Sequence, residues 1–317
     1  MVFSELIKNV TRAAVGGHMR PDGDCVGSCM GLYLYLKQNY PHIRVDVYLE
    51  EMPEQFCFIE DSHLIRHEVA EQAEYDVFIA LDCGDSGRLG FAEALFQRTG
   101  RTVCIDHHIS NGGFADSNYL EPNASSTSEL IYNLIDKDKI NAAAAACLYL
   151  GIVHDTGVFQ YSNTSPETME AAAELMRKGI DASGIIENTF YEKTYAQNRI
   201  LGYTLLNSRL YPEQKVIASV LALSDLQRFG VTAKELDGIA SQMRNTKEVE
   251  TAVFLYQLSE GEYKVSLRSG NAVDASIVAQ HFGGGGHKKA AGFNIRDEAE
   301  GIIAAVTKQI ERQIKKV

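Results

Sequence analysis

The chain has 317 residues, 45% of them apolar and 23% charged, with no tryptophan. These fractions exclude a disordered or fibrous chain, and the length suggests two domains or one large one. A formal net charge of −12 speaks against a protein that grips duplex DNA through non-specific phosphate contacts.

The charge is uneven. Residues 1–209 hold 16 basic and 29 acidic side chains, and residues 210–317 hold 14 and 13. An acidic front and a near-neutral back predict two units with different tasks. The opening MVFSELIKNV has no basic stretch ahead of a long apolar run, so no signal peptide is expected. The longest apolar stretch, near Ala142–Val153, is too short to span a bilayer. None of the six cysteines forms a C-x-x-C pair. A cytoplasmic protein with reduced thiols and no membrane partner is expected. Cys25 and Cys29 read as small buried residues.

In chain order, Ala13–Gly17 is a short apolar strand ending at a polar cluster. A helix is expected over Gly27–Gln38. Strands follow at Val45–Leu49, Asp76–Leu81 and Thr102–Ile105, each stopping at a polar or charged residue. Helical patterns occupy Ser125–Ile135, Asn141–Val153 and Pro166–Lys178. This alternation predicts an α/β unit around a parallel sheet. In such sheets ligands sit beyond the carboxyl ends of the strands. Residues 181–209 are helix-compatible and read as the end of the first domain and a connecting helix. The expected division is 1–190, a connector over 191–209, and a smaller α/β domain over 210–317. In that back part, strands are expected at Lys215–Ala222, Glu250–Leu258 and Glu262–Arg268, and helices at Val231–Met243 and Asp297–Lys315. Gly283–Gly286 is the one low-complexity tract.

Four His/Asp clusters fall at predicted element ends. They are His18-Met-Arg-Pro-Asp22-Gly-Asp24, Asp82 after DVFIAL, Asp106-His107-His108 after TVCI, and His154-Asp155-Thr156-Gly157. Each alone has a bland reading as a capping aspartate, a surface histidine or a turn glycine. Together they point to a metal site. His18, Asp22, Asp24, Asp82, His107 and Asp155 offer mixed imidazole and carboxylate donors, without the thiolates of structural zinc. Such donors suit manganese, with magnesium, cobalt or iron(II) as alternatives. A shared carboxylate can bridge two divalent ions, the usual device for phosphoryl hydrolysis. In the back part, Gly283–Gly286 with His287, Lys288 and Lys289 lets backbone N–H groups approach an anion. Arg268, at the end of a predicted strand, can place a guanidinium on a phosphate.

These motifs resemble the DHH phosphoesterase superfamily, whose name is spelled by Asp106-His107-His108. HMRPDGD, Asp82, DHH and Asp155 stand in the order of its four metal motifs. SLRSG and GGGGHKKAAGF resemble the DHH-associated substrate domain of its nano-RNase and 3′-phosphoadenosine-5′-phosphate (pAp) phosphatase branch. The resemblance implies an active site in an interdomain cleft. It implies one ion on His18, Asp22 and Asp82, and a second on Asp24, Asp82, His107 and Asp155. His108 becomes the substrate-side histidine and Asp106 its orienting partner. Arg268, Gly284, Gly285, Gly286 and His287 become the grip on the substrate phosphate. His154 stands where the family pattern has another residue, and a role in packing or in supporting the metal ligands from behind is expected for it.

The implied reaction is hydrolysis of short 5′-phosphorylated oligoribonucleotides to mononucleotides, or of pAp to AMP. A cyclic or linear di-adenylate phosphodiesterase is the alternative. A pyrophosphatase-like hydrolase and a catalytically silent nucleotide-binding module are further alternatives. The resemblance is compatible with a homodimer.

Overall fold

The computed structural model describes residues 3–315 apart from 212 and 214. The chain divides into two compact units, Met1–Glu192 and Lys193–Val317.

The first unit begins with α1 (Phe3–Leu6), β1 (Arg12–Gly16), α2 (Gly23–Asn39) and β2 (Arg44–Tyr48). It continues through β3 (Val77–Leu81), α3 (Glu93–Arg98), β4 (Thr102–Asp106) and β5 (Ser117–Leu120). It closes with α4 (Thr127–Leu134), α5 (Ala142–Asp155), α6 (Pro166–Met176) and α7 (Ala182–Ile186). The five strands run parallel in the order β2-β1-β3-β4-β5. The two central strands VFIAL and TVCID are buried at every position, as a sheet covered on both faces requires. One face packs against α2, α4 and α5; Phe78, Phe96 and Leu95 form the core on the other. The short edge strand β5, SNYL, is largely exposed, and nothing in its composition announced it.

Helices α2 and α5 meet unusually closely. Gly23, Gly27 and Gly31 recur every fourth residue on α2, so they line one face of that helix. A Cβ on Gly27 would lie 2.5 Å from the Cys147 carbonyl oxygen and 2.9 Å from the Gly151 nitrogen. A Cβ on Gly31 would press on the Leu148 side chain at 2.7 Å. The glycines thus let two helix backbones approach where ordinary side chains would hold them apart. This contact sets the separation of Asp24 on one helix from Asp155 on the other.

The second unit contains α8 (Tyr195–Leu206), β6 (Arg209–Tyr211), β7 (Val216–Leu221), α9 (Leu223–Phe229) and α10 (Ile239–Arg244). Then follow β8 (Thr251–Ser259), β9 (Glu262–Ser269), α11 (Ala275–His281), β10 (Gly285–His287), β11 (Ala290–Arg296) and α12 (Ala299–Ile314). Its sheet order is β10-β11-β9-β8-β7-β6, antiparallel except for β7 with β8. Val253, Leu255, Val265 and Leu267 face α11 and α12, while Ala252 and Phe254 face α8–α10. Helix α8 occupies the stretch read as a connector, and its Ile200 is buried in this unit's core. The helix expected over Val231–Met243 is broken: Gly238 at φ 82° separates a 3-10 turn, Ala233–Leu236, from α10. Among the described residues no helix is long and apolar enough to cross a membrane.

Gly27→Ala is expected to destabilise the protein by about 1–3 kcal/mol, because its methyl group meets backbone rather than a movable side chain. Urea unfolding of the variant, read as a lower midpoint at unchanged slope, checks this.

Candidate metal centre

Three of the clusters read from the sequence lie at the carboxyl edge of the parallel sheet. His18 follows β1, Asp82 follows β3, and Asp106-His107-His108 ends β4. Asp82 is buried and takes a left-handed backbone, φ 57°. Aspartate tolerates that region better than most residues. Its Oδ1 accepts from the Thr127 hydroxyl at 3.1 Å. Its carboxylate lies 3.5 Å from His18 Nε2, 3.7 Å from His107 Nε2 and 3.7 Å from His108 Nδ1.

The opposite ring nitrogens are tied back. His18 Nδ1 is 2.9 Å from the Met19 carbonyl, and His107 Nδ1 is 3.4 Å from the Ala124 carbonyl. A ring whose Nδ1–H donates to a carbonyl presents its Nε2 lone pair to an ion. His108 Nδ1 is 2.7 Å from Asp106 Oδ1. Asp106 is fully buried, and its other oxygen accepts from the Asn111 amide at 2.7 Å.

The helices supply the rest. Asp22 is the N-cap of α2 and accepts from the Asp24 and Cys25 amides at 3.2 and 3.1 Å. The capping oxygen also lies 3.6 Å from His18 Nε2, so the N-cap role keeps Asp22 beside the cluster. Asp24, in the first turn of α2, is buried against the start of α4, where it accepts from the amides of Thr127 (2.6 Å) and Ser128 (2.9 Å). Those are orphan donors of a helix first turn, suited to an anion. Asp155 ends α5 and reaches His107 Nε2 at 3.0 Å. The chain then turns through three left-handed residues, Gly157, Val158 and Phe159. Buried Thr156 holds that turn, its hydroxyl accepting from Phe159 N at 3.0 Å and its carbonyl from Gln160 and Tyr161.

The electrostatics favour positive charge among these carboxylates. Burial opposes charge on His18, yet hydrogen bonds to Asp22 and Asp82 overcome it and push its pKa up to about 12. Burial likewise opposes charge on His107, and Asp155, Asp24 and Asp82 raise it to about 10. Asp24 is pushed well above the carboxylate range by burial and by repulsion from Asp82 and Asp155. Asp155 is raised chiefly by burial. Burial opposes charge on Asp106 too, but hydrogen bonds from His108 and the Asn111 amide hold its carboxyl low. The bond to Asp106 in turn raises His108. Buried carboxylates this close demand positive charge, which bound protons supply when nothing stronger does.

The donors fit divalent ions. The ligand atoms of Asp24, His107 and Asp155 lie within 4.8 Å of one another, and so do those of Asp82, His107 and His108. Oxygen and imidazole nitrogen without clustered thiolates is the donor chemistry of manganese-like ions.

Several supporting residues were not legible in the motifs. Ser125–Glu129 is buried throughout. Glu129 accepts from Ser125 N (3.1 Å), Ser125 Oγ (2.5 Å) and Thr168 Oγ1 (2.8 Å). It fixes the start of α4, whose amides hold Asp24. A buried glutamate after four hydroxyl residues is the signal that marks this segment. His154 packs edge-on against Phe56 and Phe190 and lies 2.9 Å from the Thr189 hydroxyl.

In the second unit, His287, Ala290, Arg268 and Ala252 are paired in one row across four strands. Paired residues share a face, so Arg268 and His287 point to the same side of the sheet. Arg268 lines a cavity of about 110 Å³ with Phe254, Tyr256, Ser266 and Gly238. The glycine tract is not a loose loop: Gly285 and Gly286 belong to β10, against β11. A Cβ on Gly286 would lie 2.5 Å from the Ala290 oxygen and from Ala291 Cα, so the hairpin's close backbones account for at least that glycine.

An ion held through the ring lone pairs of His18 and His107 would displace the protons on those rings. Apparent manganese affinity is therefore expected to rise between pH 6 and 8, by about tenfold per pH unit for each proton displaced. Calorimetric titration of the metal-free protein in buffers of different ionisation enthalpy measures both the affinity and the proton count.

A model of the DHH family N-terminal domain matches residues 12–152, and a DHHA1 domain model matches residues 213–316. The bifunctional oligoribonuclease and PAP phosphatase NrnA of Bacillus subtilis is 29% identical over 295 residues, 90% of this chain and 91% of that one. The protein of the same name from Thermus thermophilus is 28% identical over 321 residues, 97% and 94% of the two chains. The crystal structure of an exopolyphosphatase-related protein from Bacteroides fragilis matches with a TM-score of 0.90 at 26% identity, covering 99% of this chain and 96% of that one. With both domains in sequence and the acid–imidazole cluster at the sheet's carboxyl edge, the chain belongs to the DHH family and is a metal-dependent phosphoesterase.

Proposed function

We propose that the protein hydrolyses short 5′-phosphorylated oligoribonucleotides to mononucleotides, and pAp to AMP, with two divalent ions, manganese first among them. The observation that carries this reading is Asp82, a buried carboxylate with His18 on one oxygen and His107 on the other. His18 and Asp22 would hold one ion, Asp24, His107 and Asp155 the other, and Asp82 both. When bound, such ions supply an activated water and Lewis-acid stabilisation of phosphoryl oxygens.

The chain's own residues do the remainder. Asp106 holds His108 through Nδ1, leaving Nε2 for the substrate. The same hydrogen bond raises the His108 pKa, which keeps a proton available for a phosphoryl or leaving-group oxygen. Arg268 and His287 serve as the terminal-phosphate grip, and Tyr256 beside Arg268 is the aromatic placed to meet a base. Recognition of one terminal phosphate favours short substrates, because it gives a long strand no added affinity. Relatives named oligoribonuclease and PAP phosphatase, similar across both domains, support this substrate class.

Manganese-loaded protein is expected to release AMP from 5′-phosphorylated di-adenylate and from pAp, and little from long RNA. Chromatographic product profiles, with cyclic di-AMP and pyrophosphate as further substrates, test this. Turnover of pyrophosphate alone, or of none of them, contradicts the proposal. His108→Ala is expected to lower kcat by about 10²–10⁴-fold, whereas Arg268→Ala raises KM for the 5′-phosphorylated dinucleotide.

A further inference from the structure

The ligand set above leaves out one donor. The ligand atoms of His18, Cys25 and Asp82 lie within 4.8 Å of one another, and all three residues are buried. Resting on the metal-centre reading, we infer that Cys25 supplies a sulfur ligand to the ion held by His18 and Asp82. The centre is then asymmetric: one position adds sulfur to the donors that hold manganese, and so binds thiophilic ions such as cadmium, zinc or cobalt more tightly than the other, which offers only oxygen and nitrogen at Asp24, His107 and Asp155.

Three observations place the sulfur there. Cys25 sits in the first turn of α2, and its own amide donates to the Asp22 carboxylate at 3.1 Å, so one helix start fixes both donors. Gly17, between β1 and His18, makes room for the thiol: a Cβ there would overlap Cys25 Sγ. The thiol's other partners are weak, a 3.9 Å contact to the His18 carbonyl and the neighbouring Cys29 thiol, and ligation gives up little by breaking them. Cys29, Cys83 and Cys104 are buried as well, but none joins a ligand group among the described residues. As the sulfur–metal bond forms, the thiol proton passes to solvent, and a coordinating thiol is held deprotonated by the ion.

Cobalt(II) is the probe, added to the metal-free full-length protein. Wild type is expected to show a near-ultraviolet sulfur-to-cobalt charge-transfer band beside the visible ligand-field bands. Cys25→Ser loses the near-ultraviolet band and keeps the visible ones, whereas Cys29→Ser keeps both. Bound cobalt without the near-ultraviolet band in wild type, or a band that survives Cys25→Ser, overturns the inference and leaves the metal centre standing. No cobalt binding at all overturns both. Should Cys25→Ser fail to fold, X-ray absorption at the cobalt edge of wild type decides: a sulfur neighbour supports the assignment, and a shell of oxygen and nitrogen alone overturns it.

Discussion

Asp82 is a buried anion surrounded by imidazoles and further carboxylates, and the first unit is arranged around that charge. Removing a carboxylate from water is costly unless it is paired and hydrogen-bonded. Here it meets His18, His107 and His108 within 3.7 Å and takes the Thr127 hydroxyl. Its left-handed backbone is a further cost, of the kind that persists only where the surroundings fix it. Parallel strands β3 and β4 fix it, being buried along their whole length.

The same need for compensation organises the helices. Asp24 is held by the first amides of α4, and Glu129 in turn secures that helix start to Ser125 and Thr168. The glycine face of α2 brings α5 close enough for Asp155 to join the cluster. Fold and chemistry are therefore coupled: the packing that stabilises α2 against α5 is what concentrates the carboxylates. The carboxylates around His18 and His107 raise both rings, so positive charge is favoured in this cluster. Divalent ions supply the same positive charge more strongly, at a place where they can also act on a phosphoester.

Much of this was legible in the sequence. Strands β1, β3 and β4 were readable because buried parallel strands are continuous apolar runs, and their polar ends named His18, Asp82 and Asp106–His108. Other parts depend on tertiary context. Strand β5 is exposed and lacks an apolar pattern. Gly23, Gly27 and Gly31 have a role only once α5 is opposite them. Ser125–Glu129 reads only as the start of a helix, and its hydroxyl-rich sequence gives no sign that it is buried throughout. The Gly283–Gly286 tract invited an anion-loop reading, whereas two of its glycines lie in a hairpin strand. Cys25 and Cys29 look alike in sequence, and only the three-dimensional arrangement separates the thiol beside His18 and Asp82 from the one a helical turn away.

The central claim is that Asp82 anchors two ions at once. Equilibrium dialysis with manganese, comparing wild type with Asp82→Asn, tests it most directly, since asparagine tolerates the same left-handed backbone. The account predicts two ions per chain in wild type and a loss of binding at both positions in the variant, with circular dichroism unchanged. A correctly folded Asp82→Asn protein that still binds two ions with wild-type affinity would contradict it.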